Sequence, residues 1–272
     1  MYKDKYKFVM QHHFLRFFCI FSFLFLALNS KIWTQKALNS HYVRIFDGPT
    51  FHWLSTKAPF KYSPSVRFGN DLGLLYEYPL LRFLYVQSGL FYRYNNDGLK
   101  VKEGYKVQYQ LADNAIVRDN PQAQTVELLQ RRMHSQYLGW PMGLRFKSKD
   151  WGVWNIFAEL GLQHIFTLAA KAEDKVRLNP TGDPGTAFFV HQLDVLDFWN
   201  SYDLEWYIQA GMSFNLIKRL DIFTSVGYAG GFLSVYDQGK FQIEPQTDPD
   251  LWVRGFSVRL GLSYRLGGAK EK

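Results

Sequence analysis

Residues 201–215, SYDLEWYIQAGMSFN, decide the fold. The odd positions read S, D, E, Y, Q, G, S and N, whereas the even positions read Y, L, W, I, A, M and F. One face is therefore small or polar and the other is apolar, and this period of two is typical of a β-strand. The segment also exceeds the roughly 9–11 residues that a tilted strand needs to cross a bilayer.

The same alternation recurs along the chain after residue 40. It is clear in 153–167 and 255–266, noisier in 65–78, 84–95, 135–147 and 219–229, and weakest in 42–53, where Asp47-Gly48-Pro49 interrupts it. Eight such segments predict an all-β chain, an eight-stranded antiparallel up-and-down barrel.

Alternation alone does not show which face points into the barrel, because a soluble ligand-binding barrel turns its apolar face inward and an outer-membrane barrel turns it outward to the lipid. Short connections alternate here with long loops at about 54–64, 96–134, 168–200 and 230–254. Aromatic residues also lie near strand ends on the apolar face, as membrane interfaces favour: Tyr76, Tyr78, Tyr92, Tyr94, Trp154, Tyr228 and Tyr264. These features favour a transmembrane barrel with short periplasmic turns and long extracellular loops.

The N-terminus predicts export. Lys3, Lys5, Lys7 and Arg16 precede residues 17–28, a mostly apolar stretch too short to span a bilayer but typical of a signal peptide. We expect a secretory signal over 1–35, cleaved within 30–36, and a barrel domain over 36–272; an uncleaved anchor is the alternative. Cys19, the single cysteine, falls inside the signal, so the mature chain is expected to have no thiol chemistry.

Composition narrows the function classes further. Charged residues make up 21% of the chain, and mean hydropathy is −0.22, which excludes a helical membrane protein. The formal net charge is +8, but only +4 of it lies beyond residue 34. That balance is too weak to indicate nucleic-acid binding.

The polar face of the predicted barrel carries charges of both signs. An eight-stranded barrel is just wide enough to be filled by side chains, and unpaired charges inside it would be costly. We therefore predict a plugged lumen with a charge network. Its members are Arg67, Asp71, Glu77, Arg93, Arg145, Glu159, Asp203, Glu205, Asp221, Arg259 and Arg265, with Arg219 on the same face.

The last strand, RLGLSYRL at 259–266, fits the pattern polar-x-Gly-x-x-aromatic-x-hydrophobic. The barrel-assembly machinery recognises this pattern in the final strand of its clients. Arg259, Gly261, Tyr264 and Leu266 are the predicted assembly signal, and that machinery is a predicted partner during insertion.

At these residues the chain resembles the PorT-like outer-membrane β-barrels of Gram-negative bacteria, which share the OmpX and OmpA architecture. The resemblance covers about 40–267 and rests on YLGWPMGLRF at 137–146, on 157–161, on 207–211 and on the closing strand. Two departures are the tail GGAKEK after Leu266 and the size of the second and third long loops. The resemblance implies the outer membrane, and for some members a role in type IX secretion or gliding.

Catalytic residues are poorly supported. His134 and Ser135 are adjacent, but neighbours in a strand point to opposite faces. His191 and Asp194 share a loop with nothing to anchor them, and Asp203 with Glu205 is better explained by pairing with arginines. We predict no enzyme, no cofactor and no metal.

The third long loop offers a candidate partner contact of apolar residues: Phe188, Phe189, Leu193, Leu196, Phe198 and Trp199. The spacing of Phe189, Leu193 and Leu196 predicts a short helix, as does the pattern of 125–133. We therefore expect a non-enzymatic scaffold or accessory subunit of an envelope complex, in contact with outer-membrane lipid and lipopolysaccharide and with other envelope proteins. The alternatives are an outer-leaflet barrel enzyme that hydrolyses lipid or peptide, and a soluble exported ligand-binding barrel.

Overall fold

A computed structural model describes residues 41–56, 62–102, 126–178, 187–194, 196, 199–234 and 251–266. The predicted signal over 1–35 lies outside them. Ten strands follow in chain order: β1 His41–Thr56, β2 Tyr62–Ser65, β3 Arg67–Pro79, β4 Leu84–Val101, β5 Val126–Lys147, β6 Trp154–Leu178, β7 Ala187–Asp194, β8 Tyr202–Ile217, β9 Leu220–Gly231 and β10 Leu251–Leu266. No helix in this part of the chain is both long and apolar enough to span a membrane.

Eight of these strands close into one antiparallel ring, which confirms the predicted barrel. The ring runs β1–β3–β4–β5–β6–β8–β9–β10, and β10 pairs with β1 from Tyr42↔Arg265 to Thr56↔Leu251. Because each strand satisfies the backbone groups of both neighbours, the ring has no free edge. Each of the eight predicted segments overlaps one of these strands, and none starts more than two residues before its strand.

The ring has two unlike ends. Residues 80–83, 148–153 and 218–219 form short turns at one end, which we call the short-turn end. The chain connects β1 to β2, β4 to β5, β6 to β8 and β9 to β10 at the other, the long-loop end. Both termini of the ring, His41 and Leu266, lie at the short-turn end.

Side chains alternate across the wall as the sequence predicted, with the apolar set outside. In β10, Phe256, Leu260 and Tyr264 are exposed, whereas Arg259 and Ser263 are buried. An exposed apolar belt runs around the ring: Ile45, Leu72, Leu74, Leu90, Leu160, Met212, Val226, Val258, Leu260 and Leu262. This is the side-chain arrangement of a barrel surrounded by lipid.

Aromatic residues border the belt on both sides. The short-turn girdle consists of Tyr76, Tyr78, Phe146, Trp154, Phe214 and Tyr264, and the long-loop girdle of Trp53, Phe68, Tyr92, Trp140, Phe166, Trp206, Tyr228 and Phe256. The girdles are eight residues apart on β10 and twelve on β6, about 26–40 Å along the strand. At the usual tilt of about 40° this becomes about 20–30 Å along the barrel axis, close to the band of outer-membrane barrels.

Strands β4, β5 and β6 continue beyond the long-loop girdle and form a sheet that we call the extension. It comprises residues 95–101, 126–137 and 167–178, with β2 paired to β4 and β7 paired to β6. Parts of the predicted loops 96–134 and 168–200 are therefore strand. The helices predicted at 125–133 and around Phe189 are wrong, because ladder hydrogen bonds to neighbouring strands fix both segments as β-structure.

The interior changes character in the extension. At this level many buried side chains are apolar: Leu99, Leu128, Met133, Ala170, Ala172 and Val176 in the extension, with Leu54, Leu251 and Val253 on β1 and β10. The buried polar side chains include Asn95, Asp97, Ser135 and the pair Arg131–Asp174, in which the guanidinium donates to both carboxylate oxygens at 2.8 and 2.7 Å. The charged face of the extension points outward, so this part of the sheet has the pattern of a water-exposed fold.

Candidate functional site

The lumen near the short-turn end is filled by a cluster around Arg44, which β1 directs inward. Its Nη1 lies 2.7 Å from Glu159 Oε1 and 2.9 Å from Glu77 Oε1. Arg145 also binds Glu77 and lies 3.6 Å from Glu159, so two arginines face two carboxylates. Gln87 donates to Glu159 at 2.9 Å and to the Tyr207 hydroxyl at 2.9 Å. We call this the Arg44 cluster.

A second balanced group, the Arg93 cluster, lies towards the long-loop end. Arg93 donates through Nε to Asp71 at 2.8 Å and through Nη1 to Glu205 at 2.8 Å. Arg259 donates to Asp71 at 3.0 Å and to Gln209 at 3.0 Å. Gln163 contributes a further hydrogen bond to Glu205. Buried charges of both signs are thus paired and hydrogen-bonded, as burial requires.

Aromatic rings separate and cover the charged groups. The guanidinium of Arg44 lies 3.8 Å from the ring centre of Phe223, and that of Arg145 lies 3.7 Å from Phe157. Gly139 makes room for a third ring, because a Cβ there would lie 2.1–2.6 Å from atoms of the Phe91 ring. These contacts place cations over ring faces, where the aromatic quadrupole attracts them.

The contacts cross the whole lumen. In ring order β1 and β6 are four strands apart in either direction, so the Arg44–Glu159 pair joins opposite walls. Arg93 and Glu205 join β4 to β8, three strands apart. A cavity beside Arg93 and His52 measures about 10 Å³, room for about one water molecule. Side chains therefore occupy the lumen where these two clusters cross it.

The remaining residues of the predicted network lie at the edges of these clusters. Asp203 accepts hydrogen bonds from the backbone N–H groups of Leu204 and Leu233. Arg265 lies over the Tyr42 ring at 5.5 Å, and Asp221 and Arg67 are at least partly buried. Arg219 is exposed in the 218–219 turn and takes no part, because the chain leaves the barrel wall there.

Arg44, which organises the cluster named after it, was not predicted from the sequence. It lies in the strand that Asp47-Gly48-Pro49 interrupts, so its inward direction was not assigned. Counting parity backwards from Phe51 would have placed it on the inner face, because Arg44 and Phe51 differ by an odd number of residues. Arg131 and Asp174 were missed because both fell in predicted loops.

Asp97 stands apart from both clusters. It is fully buried in the extension, and neither carboxylate oxygen has a hydrogen-bond partner among the described residues. Burial raises the pKa of Asp97 to about 7, against the lowering effect of Arg93. The group is thus held near the point of losing its proton at neutral pH.

The candidate catalytic residues are not brought together. Ser135 is buried inside, whereas His134 is exposed on the outer wall, with Nδ1 2.5 Å from Asn96 Oδ1. Asp194 is exposed and accepts a hydrogen bond from the Leu196 backbone at 3.0 Å. The backbone of His191 lies in β7. Within the described ranges no three His, Cys, Asp or Glu side chains are placed to hold a metal ion.

The predicted partner contact is divided by the structure. Phe188, Phe189 and Leu193 belong to β7, Leu196 is exposed, and Phe198 lies outside the described residues. Trp199 is only 4% exposed, so it packs within the chain and is not offered to a partner. In the closing strand, Tyr264 and Leu266 face outward, whereas Arg259 and Gly261 lie against the lumen.

No protein-family model and no curated protein sequence matches the chain. Among solved structures it is similar to the outer membrane protein OprG from Pseudomonas aeruginosa (10% identity, TM-score 0.43, covering 84% of this chain and 97% of that one). It is also similar to Neisserial surface protein A (10%, 0.37, 83% and 97%) and to Ail of Yersinia pestis in complex with the heparin analogue sucrose octasulfate (14%, 0.34, 83% and 99%). The assignment of the barrel rests on the strand pairing described above.

Proposed function

We propose that this chain is a non-enzymatic barrel of the Gram-negative outer membrane that acts as a scaffold or accessory subunit of an envelope complex. The exposed apolar belt and its two girdles support the membrane placement, because their spacing fits the hydrocarbon band. The filled lumen supports the rest of the proposal. With the Arg44–Glu159 pair joining opposite walls, side chains of the described strands block the barrel interior at this level.

The surfaces left for function are the outer wall and the extension. The extension reaches beyond the long-loop girdle and carries β7 at its margin. A sheet of this length is more than the barrel needs to cross a bilayer, since strands of about 9–11 residues suffice and β6 has 25. The resemblance to PorT-like barrels makes secretion, barrel assembly and gliding the candidate processes, by analogy.

The experiment is a pull-down in mild detergent from native membranes, with a tag at the C-terminus, beyond Leu266 at the short-turn end. The proposal expects a stoichiometric complex that is absent from untagged membranes. A lone barrel that shifts on heating in gel electrophoresis would keep the fold and contradict the scaffold role. A steady conductance in planar bilayers would contradict the closed lumen.

Outer-leaflet glycolipid is the second expected partner, and the outward face of the extension supports it. Beyond the long-loop girdle this face carries Lys171 beside His134 and, farther out, Lys100 and Arg177, with Arg132 paired with Glu173. Register places His134 opposite Lys171, and both Lys100 and Lys175 opposite Gln130, so the cations form successive rows. Cations on this face would meet the phosphates of lipopolysaccharide.

A charge reversal tests this contact. The double variant K100E/K171E is expected to co-purify with less lipopolysaccharide, measured as phosphate per barrel. Lys149 and Lys218, exposed in turns at the short-turn end, provide the matched control, and K149E/K218E, with the same change in net charge, should leave the ratio unchanged. Equal loss in both variants would mean that the barrel responds only to net charge.

The final strand is proposed to be the assembly signal through Tyr264 and Leu266, which face outward at its end. Changing both to alanine should lower the amount of folded barrel in the outer membrane while the purified variant still refolds in detergent. Failure of the variant to refold in detergent would instead indicate a purely structural role for these side chains.

A further inference from the structure

The outer wall between the two girdles carries a single charge. Of the side chains that face outward there, all in described strands, Asp47 alone is ionisable at mid-depth. The others are apolar, or hydroxyl groups such as Ser88, which accepts a hydrogen bond from Trp140 Nε1 at 2.8 Å, or the Asn70 amide, or His164 close to the long-loop girdle, whose Nδ1 lies 2.8 Å from the Tyr202 hydroxyl. A carboxylate on a wall that faces hydrocarbon is unfavourable, and such residues mark functional sites in membrane proteins.

The position of Asp47 is close to the middle of the belt. It lies six residues from His41 at the short-turn end and six from Trp53 in the long-loop girdle. Its neighbours on the adjoining strands are Leu72 and Leu260, both exposed members of the belt. A flexible side chain can reach the polar interface from a strand end, but the short Asp47 side chain at this depth cannot.

Among the described residues Asp47 has one hydrogen-bond partner, which leaves its carboxylate incompletely satisfied. Asn70 Nδ2 donates to Asp47 Oδ1 at 2.6 Å, and both side chains lie on the outer face. The second carboxylate oxygen and the Asn70 carbonyl oxygen remain as acceptors, since a carboxylate has about four lone-pair sites. The pair therefore presents acceptors with negative charge to whatever covers the wall.

The backbone beside this pair is irregular as well. Pairing of β1 with β10 is continuous on either side of Gly48 and Pro49 but is interrupted at these two residues. Pro49 has no N–H group to donate to a neighbouring strand, and proline is normally confined to sheet edges. Polar side chains and a broken ladder thus coincide on one part of the wall.

We propose that the β1–β3 wall at Asp47 and Asn70 is the docking site for a second integral membrane protein, which places a Lys or Arg side chain against Asp47 within the bilayer. Charge complementarity decides the partner: a cation would neutralise the carboxylate and use its free acceptors, and a charge-assisted hydrogen bond is strong in a low-dielectric medium. A second copy of the chain would instead place Asp47 against Asp47, and the two negative charges would repel each other. The inference rests on the proposed scaffold role and names the surface through which it acts.

The first test is site-specific photo-cross-linking in living cells. A benzoylphenylalanine replaces Leu72, next to Asp47, or Leu160, which lies at the same depth on β6, four strands from Asp47 and three from Leu72 around the ring. The proposal expects one cross-linked protein from Leu72 and none from Leu160, with the cross-linked peptide lying in a membrane-spanning segment that contains Lys or Arg. Equal cross-linking from both positions, or a cross-link to a second copy of the chain, would overturn it.

The second test removes the charge. D47L should lower recovery of the cross-linked partner by at least about tenfold, the loss expected for one charge-assisted hydrogen bond. D47K should do the same, and exchanging the partner's basic residue for Asp should restore recovery. In vesicles without the partner, D47L should unfold at a higher urea concentration than the natural chain; a lower one would make Asp47 a structural residue and overturn the proposal.

These results separate the two proposals. If the pull-down recovers a complex from the natural chain and D47L recovers it equally, the scaffold role stands and the docking site is wrong. If the natural chain recovers no complex, the scaffold role itself fails. Asn70→Leu provides a graded variant, expected to weaken recovery less than D47L because it removes a neighbour of the charge and not the charge.

Discussion

Replacing Arg44 by methionine tests whether the lumen is closed. Both carboxylates that Arg44 binds, Glu77 and Glu159, are buried, with at most 1% exposure. After the change, Arg145 alone faces the two of them. Breaking a buried pair by removing one partner costs about 3–5 kcal/mol, because the remaining charge stays buried and uncompensated. We expect R44M to lose that amount of its free energy of unfolding.

A double variant distinguishes charge from packing. In R44M/E159Q, one arginine again faces one carboxylate, Arg145 and Glu77, which the structure already pairs. The cost of the double variant should therefore fall well below the sum of the single variants. A coupling of about 2–3 kcal/mol is expected, at the upper end of the range for residues in contact.

Reversible urea unfolding in phospholipid vesicles, followed by tryptophan fluorescence, provides the measurement. Arg254→Met is the matched control, since Arg254 is exposed on β10, and its change should stay within about 0.5 kcal/mol. If R44M loses less than about 1 kcal/mol and shows no coupling to E159Q, water must solvate the carboxylates. The lumen would then be hydrated, and the argument against conduction would fail.

Three further outcomes follow from the structure. Because burial raises the pKa of Asp97 to about 7, the folded state holds a proton there that the unfolded state has lost above about pH 4. Stability from this group is full at low pH and is lost as the pH rises through about 7, so D97N should gain in urea midpoint over the natural chain between pH 4 and 8; a constant difference would contradict it. Gly139→Ala should cost about 1–3 kcal/mol through its clash with the Phe91 ring, and Phe91→Leu should restore part of it in the double variant. Arg131→Met should cost about 3–5 kcal/mol, because Asp174 is left buried without its partner; hydrogen exchange should show the loss in the extension, and a uniform loss around the ring would contradict a local effect.

The eight strands of the ring were predictable because every strand follows one rule: apolar side chains face the lipid, and small or polar side chains face the filled lumen. The segment 201–215 obeys it almost perfectly, and β8 begins and ends within two residues of that segment. The pairing inside the lumen was not predictable. Which arginine meets which carboxylate depends on the tilt and stagger of the strands, so Arg44 of β1 reaches Glu159 of β6, far away in the sequence.

The extension escaped prediction because its polarity is reversed. Residues 170–177, AKAEDKVR, still alternate, but Lys171, Glu173, Lys175 and Arg177 point outward and Ala170, Ala172 and Val176 are buried. A search for strands whose apolar residues face outward therefore misses this stretch and assigns it to a polar loop. The two-residue alternation predicts a strand, whereas the face that carries the apolar residues indicates whether lipid or water surrounds that strand.

Departures from the lipid-facing rule consequently carry the most information about function. A barrel that only had to cross the membrane would gain stability from an apolar residue at position 47 and from a residue with a backbone N–H at position 49. The chain instead has Asp47 and Pro49 there, in the strand whose pattern was the weakest of the eight. A mid-strand proline beside an interrupted ladder also occurs at Pro141 of β5, but among the described strands only β1 combines this feature with an ionisable side chain at mid-depth on the outer wall. Two local rules that fail together at one place point to a selected surface. The same irregularity that made β1 hard to predict is thus the reason to look for a partner on its outer face.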